Sequence, residues 1–152
     1  MQNWTPKLLA ALLAVATCSA FAGTPDVSDA WARATPPGVD VGAAYLTIQG
    51  GDQDDRLLGA STAGAKTVEL HTVVEEGGVS RMRPIEYLAV PAGQRVTLEP
   101  KGTHLMLIGL VQPLVAGAEL PLRLRFAEAG DVEITVVVRS ASEQEDHSHH
   151  HH

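Results

Sequence analysis

Cysteine is nearly absent from this chain of 152 residues, which contains a single one, Cys18. We expect Cys18 to leave with an N-terminal targeting segment. The remaining chain would then have no disulfide, no thiolate nucleophile and no thiolate metal ligand. Electron transfer at a blue-copper centre needs a Cys thiolate, so this class is excluded. Catalytic motifs such as G-x-S-x-G, H-E-x-x-H and a phosphate-binding loop are also missing. We therefore predict that the protein is not an enzyme.

Basic clusters and long apolar runs are also missing. The chain has 11 Lys and Arg against 18 Asp and Glu, which gives a formal net charge of −7. This balance argues against nucleic acid and against anionic membrane surfaces as partners. The longest apolar run, residues 8–16, is too short to cross a bilayer as a helix. We expect no stable insertion into a membrane.

Residues 1–22 have the pattern of a secretory signal peptide. Lys7 supplies the positive charge, residues 8–16 form the apolar region, and Ala20-Phe21-Ala22 is a cleavage signal. We predict export and cleavage after Ala22. Lipidation at Cys18 is the alternative, which we disfavour because Thr17 is a poor residue directly before a lipidated cysteine.

The segment from residue 23 to residue 139 has the sequence pattern of one all-β domain. Aromatic residues make up 4% of the chain, so the core must be built from Val, Leu, Ile and Ala. Polar and apolar residues alternate in many segments, most clearly over 119–127, and turn residues recur about every ten positions. This pattern predicts about eight or nine short strands in a Greek-key β-barrel or β-sandwich.

A polar, His-rich tail follows at residues 140–152, and we expect it to be flexible. Its five histidines are His147, His149, His150, His151 and His152. We interpret the tail as native, with a purification tag as the alternative. Imidazoles on a mobile acidic segment could capture Cu(II).

Outside that tail and the initiator Met1, all His and Met residues lie between His71 and Met106. They are His71, Met82, His104 and Met106, separated by ten, twenty-one and one intervening residues. Residues i and i+2 of a strand share a face, so His104 and Met106 should point the same way. A hairpin turning at Glu75–Gly78 would bring His71 and Met82 alongside each other.

Two imidazoles and two thioethers form a ligand set that suits Cu(I). Zinc seldom accepts a thioether, and a c-type haem would need a C-x-x-C-H motif, which is missing. The alternative is that each residue has a common structural role, with the methionines filling the core. The protein would then be a non-metal β-sandwich interaction module.

The chain also resembles a known family, the PCuAC periplasmic copper chaperones. The spacing of His71, Met82, His104 and Met106 matches that family's motif. Further similarity lies in residues 30–37, 42–45, 68–71, 77–79, 82–84, 91–93 and 104–107. The resemblance covers most of residues 27–138. Members often carry Met directly after the first His, where this chain has Thr72, so an auxiliary thioether is missing there.

The resemblance implies a cupredoxin-like fold and a Cu(I) site made of these four residues. It also implies delivery of copper in the periplasm to the CuA centre of cytochrome c oxidase. The partners would be subunit II of the oxidase, a Sco-type protein, or both, and we expect a monomer. Copper storage or resistance is the alternative use of the same site.

Overall fold

The computed structural model describes residues 23–144. The predicted signal peptide and residues 145–152, which hold the tail histidines, lie outside the described residues. Ten strands and one short 3₁₀ helix, Ala141–Gln144, make up the secondary structure of the described part. The strands are β1 (Asp26–Arg33), β2 (Val41–Gln49), β3 (Asp55–Ser61), β4 (Ala65–Glu76), β5 (Val79–Pro84), β6 (Leu88–Val90), β7 (Arg95–Leu98), β8 (His104–Leu110), β9 (Glu119–Phe126) and β10 (Gly130–Arg139). The predicted all-β fold class is confirmed.

Seven of these strands close into a barrel. Their order is β4-β8-β2-β1-β10-β9-β3, and a pairing of Ala60 with Val68 joins β3 back to β4. The first and last strands, β1 and β10, run parallel, whereas the other neighbours are antiparallel. Three further strands pair with barrel strands: β6 with β3, β7 with β2, and β5 with β4. Because β4, β8 and β2 are neighbours in the barrel, their outward-facing side chains form one continuous surface.

Aliphatic side chains fill the barrel, as the scarcity of aromatic residues predicts. On β9, the alternation places Leu122, Leu124 and Phe126 in the core. On β8, Leu105 and Leu107 are fully buried, so Met106 between them and His104 before them must face outward. Each fully buried leucine stabilises the fold by about 2 kcal/mol.

The sequence pattern missed one strand, β6, and it placed the end of β4 too early. Strand β6 has three residues, too few for alternation to be visible. Strand β4 continues to Glu76, directly before the glycine turn, so the β4–β5 hairpin has a two-residue loop, Gly77-Gly78. The ten strands therefore exceed the eight or nine predicted.

Asp55 is a buried carboxylate at the start of β3, only 7% exposed. Its Oδ1 accepts hydrogen bonds from the backbone N–H groups of Arg56 and Glu128, at 2.7 and 2.9 Å. Its Oδ2 accepts one from Ala129, at 3.0 Å. Asp55 thus ties β3 to the turn between β9 and β10 at the end of the barrel.

Candidate metal centre

The four side chains predicted as ligands lie on neighbouring strands. His71 is on β4, Met82 is on β5, and His104 and Met106 are on β8. In the antiparallel pairing of β4 with β8, His71 lies directly opposite His104. In the pairing of β4 with β5, Met82 lies opposite Val73. Val73 is two residues after His71 on β4, so the two side chains are on the same face.

Opposed residues of an antiparallel pair point to the same face of the sheet. His71, Met82, His104 and Met106 therefore share one face. Their neighbours along β4 and β8, Leu70 and Leu105, are buried in the core. The shared face is the outer face of the barrel, and the sheet register brings all four residues together there.

The two histidine rings lie next to each other, with their centroids 6.0 Å apart and their planes at 33°. The His104 side chain is buried, at 6% exposure. Its Nδ1 lies 3.1 Å from the backbone oxygen of Gly102. Because a carbonyl oxygen only accepts hydrogen bonds, Nδ1 carries the proton and Nε2 keeps a lone pair. That hydrogen bond fixes the ring for ligation through Nε2.

His71 is held by a carboxylate rather than by a carbonyl group. Its Nε2 lies 2.9 Å from Oε2 of Glu69, which is two residues earlier on β4. Its Nδ1 is buried and has no hydrogen-bond partner among the described residues. Leaving such a buried polar atom unpaired costs about 1–3 kcal/mol.

The two methionines differ in exposure. Met106 is half-buried on β8 and pairs with Ala43 on one side and with Glu69 on the other. Met82 is 59% exposed, and every residue of β5 is exposed. Met82 therefore does not fill the core, which removes the structural role that the interaction-module alternative gave it.

A cleft of about 530 Å³ opens beside the site and is lined by Met82, His104 and Met106. His71 is not among its lining residues and joins the group through its contact with His104. The other lining residues are Arg33, Ala34, Thr35, Pro36, Val39, Val41, Gly42, Ala43, Tyr45, Val73, Pro100 and Lys101. The cleft gives the site a path to the outside.

Oxygen and nitrogen ligands alone would not complete a metal site here. Within residues 23–144, no three His, Cys, Asp or Glu side chains are grouped closely enough to hold an ion. An ion held by three or more side chains on this face would therefore need a ligand of another kind, and the thioether sulfurs of Met82 and Met106 are the candidates. That requirement fits Cu(I), which accepts soft ligands, better than it fits zinc.

Tyr45 and Trp31 form an aromatic wall next to His104. The Tyr45 ring centroid lies 4.5 Å from that of Trp31 and 6.3 Å from that of His104. Burial raises the pKa of the Tyr45 phenol above its usual value of 10, and the charge of Arg33 opposes this in part. The wall packs behind His104 and leaves Met82 as the exposed side of the site.

Comparisons with known proteins identify the family of this chain and proteins of similar fold. The family model for LpqE-like lipoproteins matches residues 26–138. The lipoprotein Lxx21020 of Leifsonia xyli subsp. xyli is 32% identical over 115 residues, which cover 74% of this chain and 68% of that protein. The chain belongs to the LpqE-like family.

Solved structures similar to this LpqE-like chain include copper proteins. The copper-bound PCuAC domain from PmoF2 is 25% identical with a TM-score of 0.67, covering 78% of this chain and 95% of that domain. Apo-DR1885 from Deinococcus radiodurans is 31% identical with a TM-score of 0.60, covering 94% and 96%. Its Cu(I) form is 28% identical with a TM-score of 0.61, covering 82% and 83%. The similarity to PCuAC domains is confirmed, and so is the cupredoxin-like barrel.

Two residues beside the candidate site, Glu69 and Tyr45, were not predicted from the sequence. Glu69 could have been found from its position two residues before His71, which places it on the same face. Tyr45 could not, because its contact with His104 depends on how β2 pairs with β8. In the described part of the chain, no helix is long and apolar enough to span a bilayer.

Proposed function

We propose that this protein is a periplasmic metallochaperone that binds one Cu(I) ion through His71, Met82, His104 and Met106. The observation that carries the proposal is the register of β4, β5 and β8, which gathers these side chains on one outer face. Copper-bound structures among the solved relatives support it.

The ligand types explain why such a site would carry copper rather than use it. Thioether sulfur binds Cu(I) without losing a proton, and d¹⁰ Cu(I) makes no geometric demand on its ligands. His104 supplies a fixed imidazole, whereas Met82 is exposed on an outer strand. An acceptor thiolate could replace Met82 first and then take the ion by successive ligand exchange. Nothing in this role requires catalysis.

We further propose the CuA centre of cytochrome c oxidase as the destination. Subunit II would receive the ion, directly or through a Sco-type protein, from a monomeric chaperone. The tail histidines would capture Cu(II), the oxidised ion that the thioether ligands do not favour. If this is correct, deleting the protein lowers oxidase activity, and added copper restores it. Copper sensitivity without an oxidase defect would instead indicate a resistance role.

Export is part of the proposal, and the relatives named as lipoproteins bring back the alternative processing at Cys18. Cleavage after Ala22 releases a protein that begins at Gly23, whereas lipidation leaves an acylated Cys18 at the N-terminus. Intact mass spectrometry of the protein from its native membrane and soluble fractions distinguishes the two. Both forms place the metal site outside the cytoplasm.

Copper titration tests the binding claim. The protein is the full chain with its five tail histidines replaced by Ala, titrated with Cu(I) under reducing conditions against a competing chelator. We expect one ion per chain, and loss of tight binding in the double variant His104→Ala, Met106→Ala. Stoichiometric binding that survives in the double variant would overturn the ligand assignment. Absence of tight binding in the parent would overturn the chaperone function.

A further inference from the structure

The two histidines of the site have opposite hydrogen-bonding arrangements. We propose that His71 binds copper through Nδ1 and His104 through Nε2, with Glu69 as the residue that positions His71. This inference rests on the proposed function and adds to it the ligating atoms and the role of Glu69.

The first observation is the contact between Glu69 and His71. Oε2 of Glu69 lies 2.9 Å from Nε2 of His71, which is hydrogen-bond distance. An ionised carboxylate has no hydrogen to donate, so the proton of this bond belongs to Nε2. A neutral imidazole has one proton only. The lone pair of His71 is therefore on Nδ1.

The second observation is the surroundings of that Nδ1 atom. Among the side chains of the described residues, it is the one buried nitrogen or oxygen without a hydrogen-bond partner. Buried polar atoms are nearly always paired, and an unpaired one calls for an explanation such as an ion. A metal ion that accepts the Nδ1 lone pair would supply the missing partner.

His104 shows the contrasting arrangement on the facing strand. The backbone oxygen of Gly102 takes the Nδ1 proton of His104, which leaves Nε2 as its ligating atom. The two rings lie opposite each other in the β4–β8 ladder and 6.0 Å apart. Each ring thus donates a hydrogen bond that fixes its tautomer, but the donor is Nε2 in His71 and Nδ1 in His104.

This difference affects where the ion sits. Nδ1 is bonded to the ring carbon that carries Cβ, whereas Nε2 is at the far side of the ring. Ligation through Nδ1 therefore holds the ion nearer the backbone of β4. It also leaves the Glu69 carboxylate bound to Nε2–H, where it makes the imidazole a better electron donor. Glu69 lies opposite Met106 in the ladder, so its carboxylate is on the same face as the proposed ligands.

Nitrogen NMR on the copper-loaded protein tests the assignment directly. The sample is the full chain with ¹⁵N-labelled histidine and its five tail histidines replaced by Ala, which leaves His71 and His104 of the seven. In the copper-free protein we expect the proton on Nε2 of His71 and on Nδ1 of His104. Adding Cu(I) should shift Nδ1 of His71 and Nε2 of His104. A shift at Nε2 of His71, with loss of its proton, would overturn the inference while leaving the proposed function intact. No shift at either ring would overturn the proposed function itself.

Substitutions at Glu69 test its positioning role. We expect Glu69→Ala to lower Cu(I) affinity by about 10- to 100-fold and to give a mixture of His71 tautomers. Glu69→Gln keeps an acceptor oxygen, so it should restore the tautomer and part of the affinity. Glu133→Ala is the matched control, because Glu133 pairs with Arg123 on the far side of the barrel and should change neither quantity. An unchanged tautomer or unchanged affinity in Glu69→Ala would overturn the role of Glu69.

Discussion

At position 106 we expect Cu(I) binding to depend on the thioether sulfur of Met106 and not on the size of its side chain. Leu has nearly the same volume as Met and lacks the thioether, and such swaps usually cost less than about 1.5 kcal/mol. Met106→Leu should therefore keep the fold and lower Cu(I) affinity by at least about tenfold, or about 1.4 kcal/mol. Competition titration and urea denaturation measure the two effects.

The control for this prediction is a leucine that does not approach the site. Leu122→Met adds a thioether in the core, at a residue 2% exposed, and should leave Cu(I) affinity unchanged. If Met106→Leu binds copper like the parent, the sulfur of Met106 is not a ligand. If it unfolds, Met106 has the packing role of the interaction-module alternative.

We expect Tyr45 to make the free energy of unfolding depend on pH in the alkaline range. Burial raises the pKa of its phenol above 10, so the folded state holds the proton more tightly than the unfolded state does. The free energy of unfolding should then fall as the pH rises above 10, because the unfolded state releases the proton first. Urea denaturation at pH 9 and pH 11 measures the fall.

Tyr45→Phe should make that fall smaller, since it removes the group responsible. Tyr87 is the matched control: the chain has two tyrosines, and Tyr87 is 47% exposed. Tyr87→Phe should keep the full pH dependence. Equal behaviour of the two variants would show that Tyr45 is not the source.

Among the strands, the β4–β5 hairpin is the one that presents Met82. Its two-residue loop has φ of 60° at Gly77 and 79° at Gly78, both in the left-handed region. An Ala there costs about 1–2 kcal/mol, and every residue of β5 is exposed, so burial of β5 does little to offset this cost. We expect Gly77→Ala to loosen β5 and to weaken Cu(I) binding by up to about tenfold. Hydrogen exchange of β5 amides and a copper titration would show both effects.

Gly130 is the matched control for the hairpin. It has φ of 76° as the first residue of β10, directly after the turn from β9 and away from the candidate metal site, and a Cβ there would meet no atom within 4 Å. Gly130→Ala should lower the free energy of unfolding by a similar amount and leave Cu(I) affinity unchanged. Equal loss of affinity in both variants would attribute the effect to general destabilisation.

Asp55 joins two elements at the end of the barrel, and its loss should be costly. Asp55→Ala leaves three backbone N–H groups without their acceptor, and we expect the free energy of unfolding to fall by about 2–4 kcal/mol. Asp54 is exposed and accepts one hydrogen bond, from the N–H of Ala92. Asp54→Ala should cost less than about 1 kcal/mol. Similar losses in urea denaturation would contradict this account.

For the molecule as a whole, the sequence predicts the strands better than it predicts how they pair. Alternation over 119–127 and the glycine turn at 77–78 are local signals, so β9 and the β4–β5 hairpin could be predicted. Pairing is decided by contacts between residues distant in sequence, and a shift by one residue would move a side chain to the other face. That His71 faces His104, and that Tyr45 packs beside it, could therefore not be predicted.

The candidate site could likewise be predicted only in part from the sequence. The types and spacing of His71, Met82, His104 and Met106 were enough to predict a copper site, because residues 23–144 contain no other His or Met. Glu69 was predictable in position only: it lies two residues before His71 and so on the same face, but a glutamate on a strand is usually solvated, so its role was not indicated. Only the 2.9 Å contact with His71 and the buried Nδ1 distinguish it.

The central claim is that one Cu(I) ion is bound by two imidazoles and two thioethers on the outer face of the barrel. Copper X-ray absorption on the Cu(I)-loaded full chain, with its five tail histidines replaced by Ala, tests it most directly. We expect one copper per chain, with nitrogen and sulfur scatterers in about equal number. In protein cleaved after Ala22, which contains no cysteine, any sulfur signal must come from methionine. A spectrum with nitrogen and oxygen scatterers alone would contradict the account.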